Sequence, residues 1–197
     1  MNRLGLLHPS ELDEQAKALY DEFYTYTTTR YGESAKPGFL TEDGRFMGPF
    51  GAELHTPGVG HHFLGMTKAC KQIPGLSDLN REIAIIVVGV RYQAAYELSS
   101  HKMFGQKYGL SPEEIDTLFE GKKPSTFTED KAAVYDVAYE LLYTPGPLSQ
   151  AKWDEAVRLI GKSGATAIVQ YVGFYSYVST VLNGFDVQLP DVTGIKL

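Results

Sequence analysis

Residues 81–101 read REIAIIVVGVRYQAAYELSSH, and the fold depends on how this stretch is taken. The run IAIIVVGV at 83–90 is rich in β-branched side chains and by propensity resembles a buried strand. Ser77 and Asp78 just ahead of it have the chemistry of a helix start, however, and no neighbouring segment offers a strand to pair with. Downstream, QAAYELSSHKMFGQKYG at 93–109 has helical spacing and closes on Gly109. Ser111-Pro112-Glu113-Glu114 then forms a capping box with proline at the first helical position, and that helix stops at Gly121. Thr128 opens another helix, with Ala133, Val134, Val137, Leu141 and Leu142 on its apolar side, broken by TPGP at 144–147. Ser149 opens the next, through Trp153, Val157 and Ile160 to Gly161, and 165–182 is a long apolar helix carrying Tyr171, Tyr175 and Tyr177.

Upstream, Leu12, Ala16, Leu19, Phe23 and Tyr26 recur every three or four residues, as do Val59, Phe63, Met66 and Cys70. The Gly- and Pro-rich segment 32–57 between these two lines is expected to be a long irregular loop, which in a compact domain is usually functional. The fold class is therefore all-α, a single-domain bundle of about seven or eight helices spanning residues 1–197.

The whole chain of 197 residues, 43% hydrophobic and 21% charged, is large and apolar enough to bury a core without disulfides or a structural metal. Eighteen basic against twenty-four acidic side chains argue against a nucleic-acid partner. The N-terminal MNRLGLLHPSELDEQ lacks a secretory apolar region, 84–90 is too short to span a membrane, and the terminal GIKL is no retention or prenylation signal. A cytoplasmic protein with no membrane partner is expected. The single cysteine, Cys70, excludes an internal disulfide, a CxxC pair and a Cys-rich zinc site. No GxGxxG, Walker A, HExxH or GxSxG pattern occurs. The adjacent His61 and His62 point about 100° apart on a helix and cannot both face one site, so a metal would need scattered ligands.

What remains is Glu97 and His101, four apart and hence on one helix face. A carboxylate beside an imidazole orients the ring and favours the imidazolium, which makes an acid–base pair. The same spacing also describes an ordinary solvated pair. Arg91 has two readings as well: a bidentate receiver for a substrate carboxylate, or a cap for helix-end carbonyls. Glu82 enters the apolar run either as a helix-start carboxylate or as a member of the site. In one straight helix it would stand about 22 Å from Glu97. The two meet only if the chain reverses near 91–95, where no glycine or proline marks a break.

The chain resembles the carboxymuconolactone decarboxylase family, whose fold is shared with the alkylhydroperoxidase D group. The resemblance rests on GRFMGPF at 44–50, the stretch 81–101, KYGLSPEEI at 107–115 and YVGFYSYVSTVLNGFDVQLP at 171–190. It covers a core of about 40–187. In the peroxidase branch the central segment carries a glutamate, a CxxC pair and a histidine. Glu82 and His101 match the first and last, while Ala94 and Glu97 stand where the cysteines would be. The resemblance therefore implies a decarboxylase-type protein without thiol peroxidase activity. It also implies no metal or organic cofactor, a trimer or hexamer, and a chain break that returns Glu82 toward His101.

On this basis the chain is expected to be a lyase, a cofactor-independent decarboxylase acting on a small carboxylated, oxygenated molecule. Glu97, His101 and Glu82 would be catalytic and Arg91 would hold the carboxylate. Tyr96 or His62 would hydrogen-bond the carbonyl that takes up charge. Phe50 and Tyr175 would wall the pocket, although plain core packing accounts for both as well. An isomerase, hydrolase or cyclase using the same pair, or a non-catalytic binding or assembly protein on the same scaffold, fits the same residues.

Overall fold

The computed structural model describes residues 2–189, so Pro190 and the terminal GIKL lie outside the described residues. Its helices are α1 (Glu14–Tyr31), α2 (Gly48–Glu53), α3 (Pro57–Gln72), α4 (Asp78–Tyr92), α5 (Ala95–Tyr108), α6 (Pro112–Phe119), α7 (Glu129–Tyr143) and α8 (Gln150–Gly184). Two 3-10 turns, Pro9–Glu11 and Glu33–Gly38, accompany them. The only extended pairing among the described residues is an isolated bridge between Leu40 and Phe46. None of these helices is long and apolar enough to cross a membrane. The described residues group into two compact units, 2–68 with 181–189, and Ala69–Thr180.

In the first unit, Asp13 caps α1 by accepting from the Ala16 amide at 2.8 Å, and Ala16, Leu19, Tyr20, Phe23 and Thr27 face inward. The segment expected to be irregular is partly built. Pro49 starts α2, and Phe46 and Phe50 pack on Phe23 with ring centroids 5.8 and 5.0 Å away. Edge-to-face packing of aromatic rings, rather than helical periodicity, orders this region, so the sequence pattern did not announce it. On α3 the buried line runs through Gly60, Phe63, Leu64 and Cys70, whereas Val59 and Met66 are exposed. The helix is turned toward Gly60 because that residue has no side chain: a Cβ there would meet the Glu53 carbonyl at 3.0 Å.

The second unit is organised around α4. Ser77 caps it by accepting from the Asn80 amide at 3.1 Å, and every residue of 80–90 is buried. A helix apolar on all sides has to be enclosed on all sides, and α5, α6 and α7 pack against it. The β-branched run is helical because enclosure by other helices outweighs a propensity difference of at most ~1 kcal/mol per residue. The chain does reverse after α4. Gln93 takes a left-handed conformation (φ 50°), and the Ala94 amide bonds the Gly89 carbonyl at 3.0 Å. The Gln93 side-chain amide donates to the Val90 carbonyl at 2.8 Å, doing the work a glycine usually does at a helix end. Gly89 lets the two helices close: a Cβ there would lie 3.0 Å from Leu98 Cδ2. Gly161, at φ 74°, kinks α8 where a helix boundary was expected.

Gly89→Val is expected to destabilise the chain by about 1–3 kcal/mol through overpacking against Leu98. Urea unfolding with an unchanged midpoint would contradict this account of the hairpin.

Candidate active site

The reversal at 93–94 places Glu82 of α4 beside His101 of α5, nineteen positions later. Glu82 Oε2 accepts from His101 Nδ1 at 2.5 Å. On the other side of the ring, Glu97 Oε2 lies 3.1 Å from Nε2. That approach is off the N–H axis, and Glu97 Oε2 is buried with no hydrogen-bond partner. One imidazole thus stands between two carboxylates, and all three side chains are at most 12% exposed. The solvated-pair reading of Glu97 and His101 does not describe this geometry.

Burial works against a charged imidazole. It is outweighed by the negative charge of Glu82, the Glu82 hydrogen bond and the nearness of Glu97, which together push the His101 pKa up to about 10. The ring is therefore an imidazolium at neutral pH. Aromatic side chains enclose it: Tyr175 meets it edge-on at 5.3 Å and Phe104 at 5.8 Å. Tyr96, in the first turn of α5, is buried, and burial followed by the Glu97 charge raises its phenol pKa, so it remains a neutral hydroxyl.

Two residues that were not singled out from the sequence join this region. Arg81 is buried, pairs with Asp78 and lies near enough to Tyr171 for its charge to act on the phenol; the Tyr171 ring stacks on Tyr175 at 6.0 Å. Burial raises the Tyr171 phenol pKa, and the Arg81 charge opposes it. Lys71 also pairs with Asp78. The buried Glu82 and Glu97 thus share His101, and the buried Arg81 has the part-exposed Asp78, which Lys71 also meets. The available signal was an arginine and a glutamate together inside an apolar run.

Arg91 is not brought to His101. It lies nine residues beyond Glu82 on one helix, half a turn round and about 14 Å along the axis. Its Nε donates to the Leu142 carbonyl at 3.3 Å, so it caps a helix end, though that of α7 rather than its own. Phe50 and His62 belong to the other unit, where Phe50 is buried in the aromatic cluster and His62 is exposed on α3. Cys70 is buried on α3, and burial raises its thiol pKa, the opposite of a reactive thiolate. No group of His, Cys, Asp and Glu among the described residues is arranged to hold a metal ion.

This arrangement of helices is the alkylhydroperoxidase D-like fold. The chain is similar to the alkylhydroperoxidase AhpD core structure of an uncharacterized peroxidase-related protein from Ralstonia eutropha, with a TM-score of 0.75 and 15% identity over 96% of this chain and 92% of that one. It is also similar to the debrominase Bmp8. A cysteine-to-alanine variant of that enzyme in complex with 2,3,4-tribromopyrrole gives a TM-score of 0.61 at 15% identity. The apo form gives 0.59 at 17%, and in both cases 72% of this chain and 77% of the other are covered. No family profile and no curated protein matches the sequence.

The charge on His101 stabilises the fold fully below about pH 6.5, and that contribution is lost as pH rises through about 10. In an NMR titration the His101 ring is expected to stay protonated past pH 8. Glu82→Gln should lower its midpoint more than Glu97→Gln, since Glu82 supplies the larger charge effect. A midpoint near 6.5 in the unmodified chain would contradict this.

Proposed function

We propose that the chain is a cofactor-independent lyase that removes CO2 from a small carboxylated, oxygenated substrate. The observation that carries the reading is the buried imidazolium held between Glu82 and Glu97. Loss of CO2 needs no general base to begin. It needs a sink for the electron pair left on carbon and then a proton for that carbon. A resting imidazolium supplies the proton, and Tyr96, kept neutral, donates a hydrogen bond to the carbonyl oxygen that takes up the charge.

The roles follow from position. Glu82 fixes the ring through Nδ1 and balances its charge. Glu97 favours the charged form and meets the ring on the Nε2 side, from which the proton departs. Arg81, which adjoins the cluster through Tyr171 and Tyr175, would hold the substrate carboxylate in place of Arg91. Tyr175 and Phe104 keep water from the developing carbanion. The imidazolium is regenerated from solvent through Glu97. The debrominase of the same fold forms a complex with 2,3,4-tribromopyrrole as a cysteine-to-alanine variant, whereas α4 and α5 here carry no cysteine. The chemistry is therefore acid–base rather than thiol.

The test is CO2 release from a panel of carboxylated lactones and β-keto acids labelled at the carboxyl carbon. His101→Ala is expected to cost about 10²–10⁴ in rate and Glu97→Gln less, with the double variant little worse than His101→Ala alone. Glu97→Gln should also move the alkaline fall in activity to lower pH. Turnover that keeps every carbon while exchanging a C–H for deuterium would replace the lyase with an isomerase. Losses that multiply in the double variant would dissolve the unit. Cys70→Ala should leave turnover within about twofold. Peroxide consumption that disappears in this variant would overturn the exclusion of thiol chemistry.

A further inference from the structure

Arg91 of α4, Leu141 and Leu142 of α7, and Val169 and Gly173 of α8 border an open groove of about 420 Å³ within the second unit. It is not the His101 site. Arg91 and Glu82 are on opposite faces of α4, and on α8 the groove is lined by residues beside, not on, the Tyr171–Tyr175 line that reaches His101.

The arginine is held ready for a ligand. Its guanidinium lies over the Tyr143 ring, 5.2 Å from the centroid, and its Nε is anchored on the Leu142 carbonyl. The two Nη groups have no hydrogen-bond or ion-pair partner among the described residues. No carboxylate lines the groove. Two contacts thus fix the plane of the fork while leaving its outer edge open, which is how guanidinium receives a carboxylate in bidentate fashion. The rest of the lining is hydrocarbon. Val172 is buried, and Leu141, Leu142 and Val169 form walls. Ser176 spends its hydroxyl proton on the Val172 carbonyl at 2.7 Å, so it adds no donor. Gly173 gives a bare stretch of helix with nothing within 4 Å of where a Cβ would stand, a flat surface wide enough for a ring.

The geometry points to this groove as a second binding site, separate from the acid–base centre, for a small aromatic monocarboxylate: the carboxylate on the Arg91 fork, the ring over Gly173 between the leucine and valine walls. The assignment does not rest on the lyase reading.

The probe is benzoate, with benzamide as its neutral isostere, titrated into the isotope-labelled full chain and followed by NMR. Benzoate is expected to shift the Gly173 and Ser176 amides and the Arg91 Nε–H with a dissociation constant on the order of 1–10 mM, a range suited to one exposed ion pair and a half-covered ring. Benzamide should bind about ten- to a hundredfold more weakly, and Arg91→Gln should lose a similar factor for benzoate. Gly173→Leu fills the groove from an open position and should abolish the shifts, while Gly173→Ala keeps them. The resonances of His101 and Tyr175 should stay unshifted, so the outcome is independent of the active-site tests. Equal shifts with benzamide, shifts that survive both Arg91→Gln and Gly173→Leu, or benzoate shifts confined to His101 and Tyr175 would each overturn the assignment.

Discussion

A single imidazole balances two carboxylates where water is nearly absent, and the second unit is arranged to permit it. Glu82 and Glu97 are each buried, and an ionised carboxylate taken out of water without a partner is not tolerated. His101 faces both, so its proton is held far more firmly than in a free histidine. Arg81, Asp78 and Lys71 complete the balance at the start of α4. Charged groups brought together from α3, α4 and α5, four of them on largely buried side chains, are costly as a means of stability. Such clusters more often mark sites where protons are moved.

The mechanical condition for this balance is the hairpin of α4 and α5. Glu82 and His101 meet because the chain turns within two residues, and the helices it joins lie close because Gly89 carries no side chain. The same helix has a second face. Its C-terminal end carries Arg91 toward α7, half a turn from Glu82, where the guanidinium rests on Tyr143. One element thereby carries an enclosed charge cluster near its start and a single exposed cation at its end, beside an open groove. Their separation follows from nine residues at 3.6 per turn.

Much of this was legible in advance because caps and periodicity are local. Ser77, Ser111 and Gly109 mark helix ends through hydrogen bonds to residues three or four positions away. The all-helical fold followed from those signals, even against the β-branched run at 83–90. The helix within 32–57 was not legible, because aromatic contacts between distant residues order it. The inward turn of α3 toward Gly60 depends on what Glu53 presents, which no spacing reports.

The sequence by itself determined that Glu97 and His101 share a helix face, since one turn of helix fixes that separation regardless of surroundings. It also determined that one cysteine, placed on an apolar face, supplies no redox pair. Only the tertiary structure decided that Glu82 closes on the same ring, that Arg81 rather than Arg91 is the nearby cation, and that the pair is enclosed rather than solvated. The first of these depends on a left-handed Gln93, a residue type that adopts either helix or turn until packing selects one. The charge on an imidazole is likewise set by what surrounds it, and the surroundings are assembled from parts of the chain nineteen residues apart.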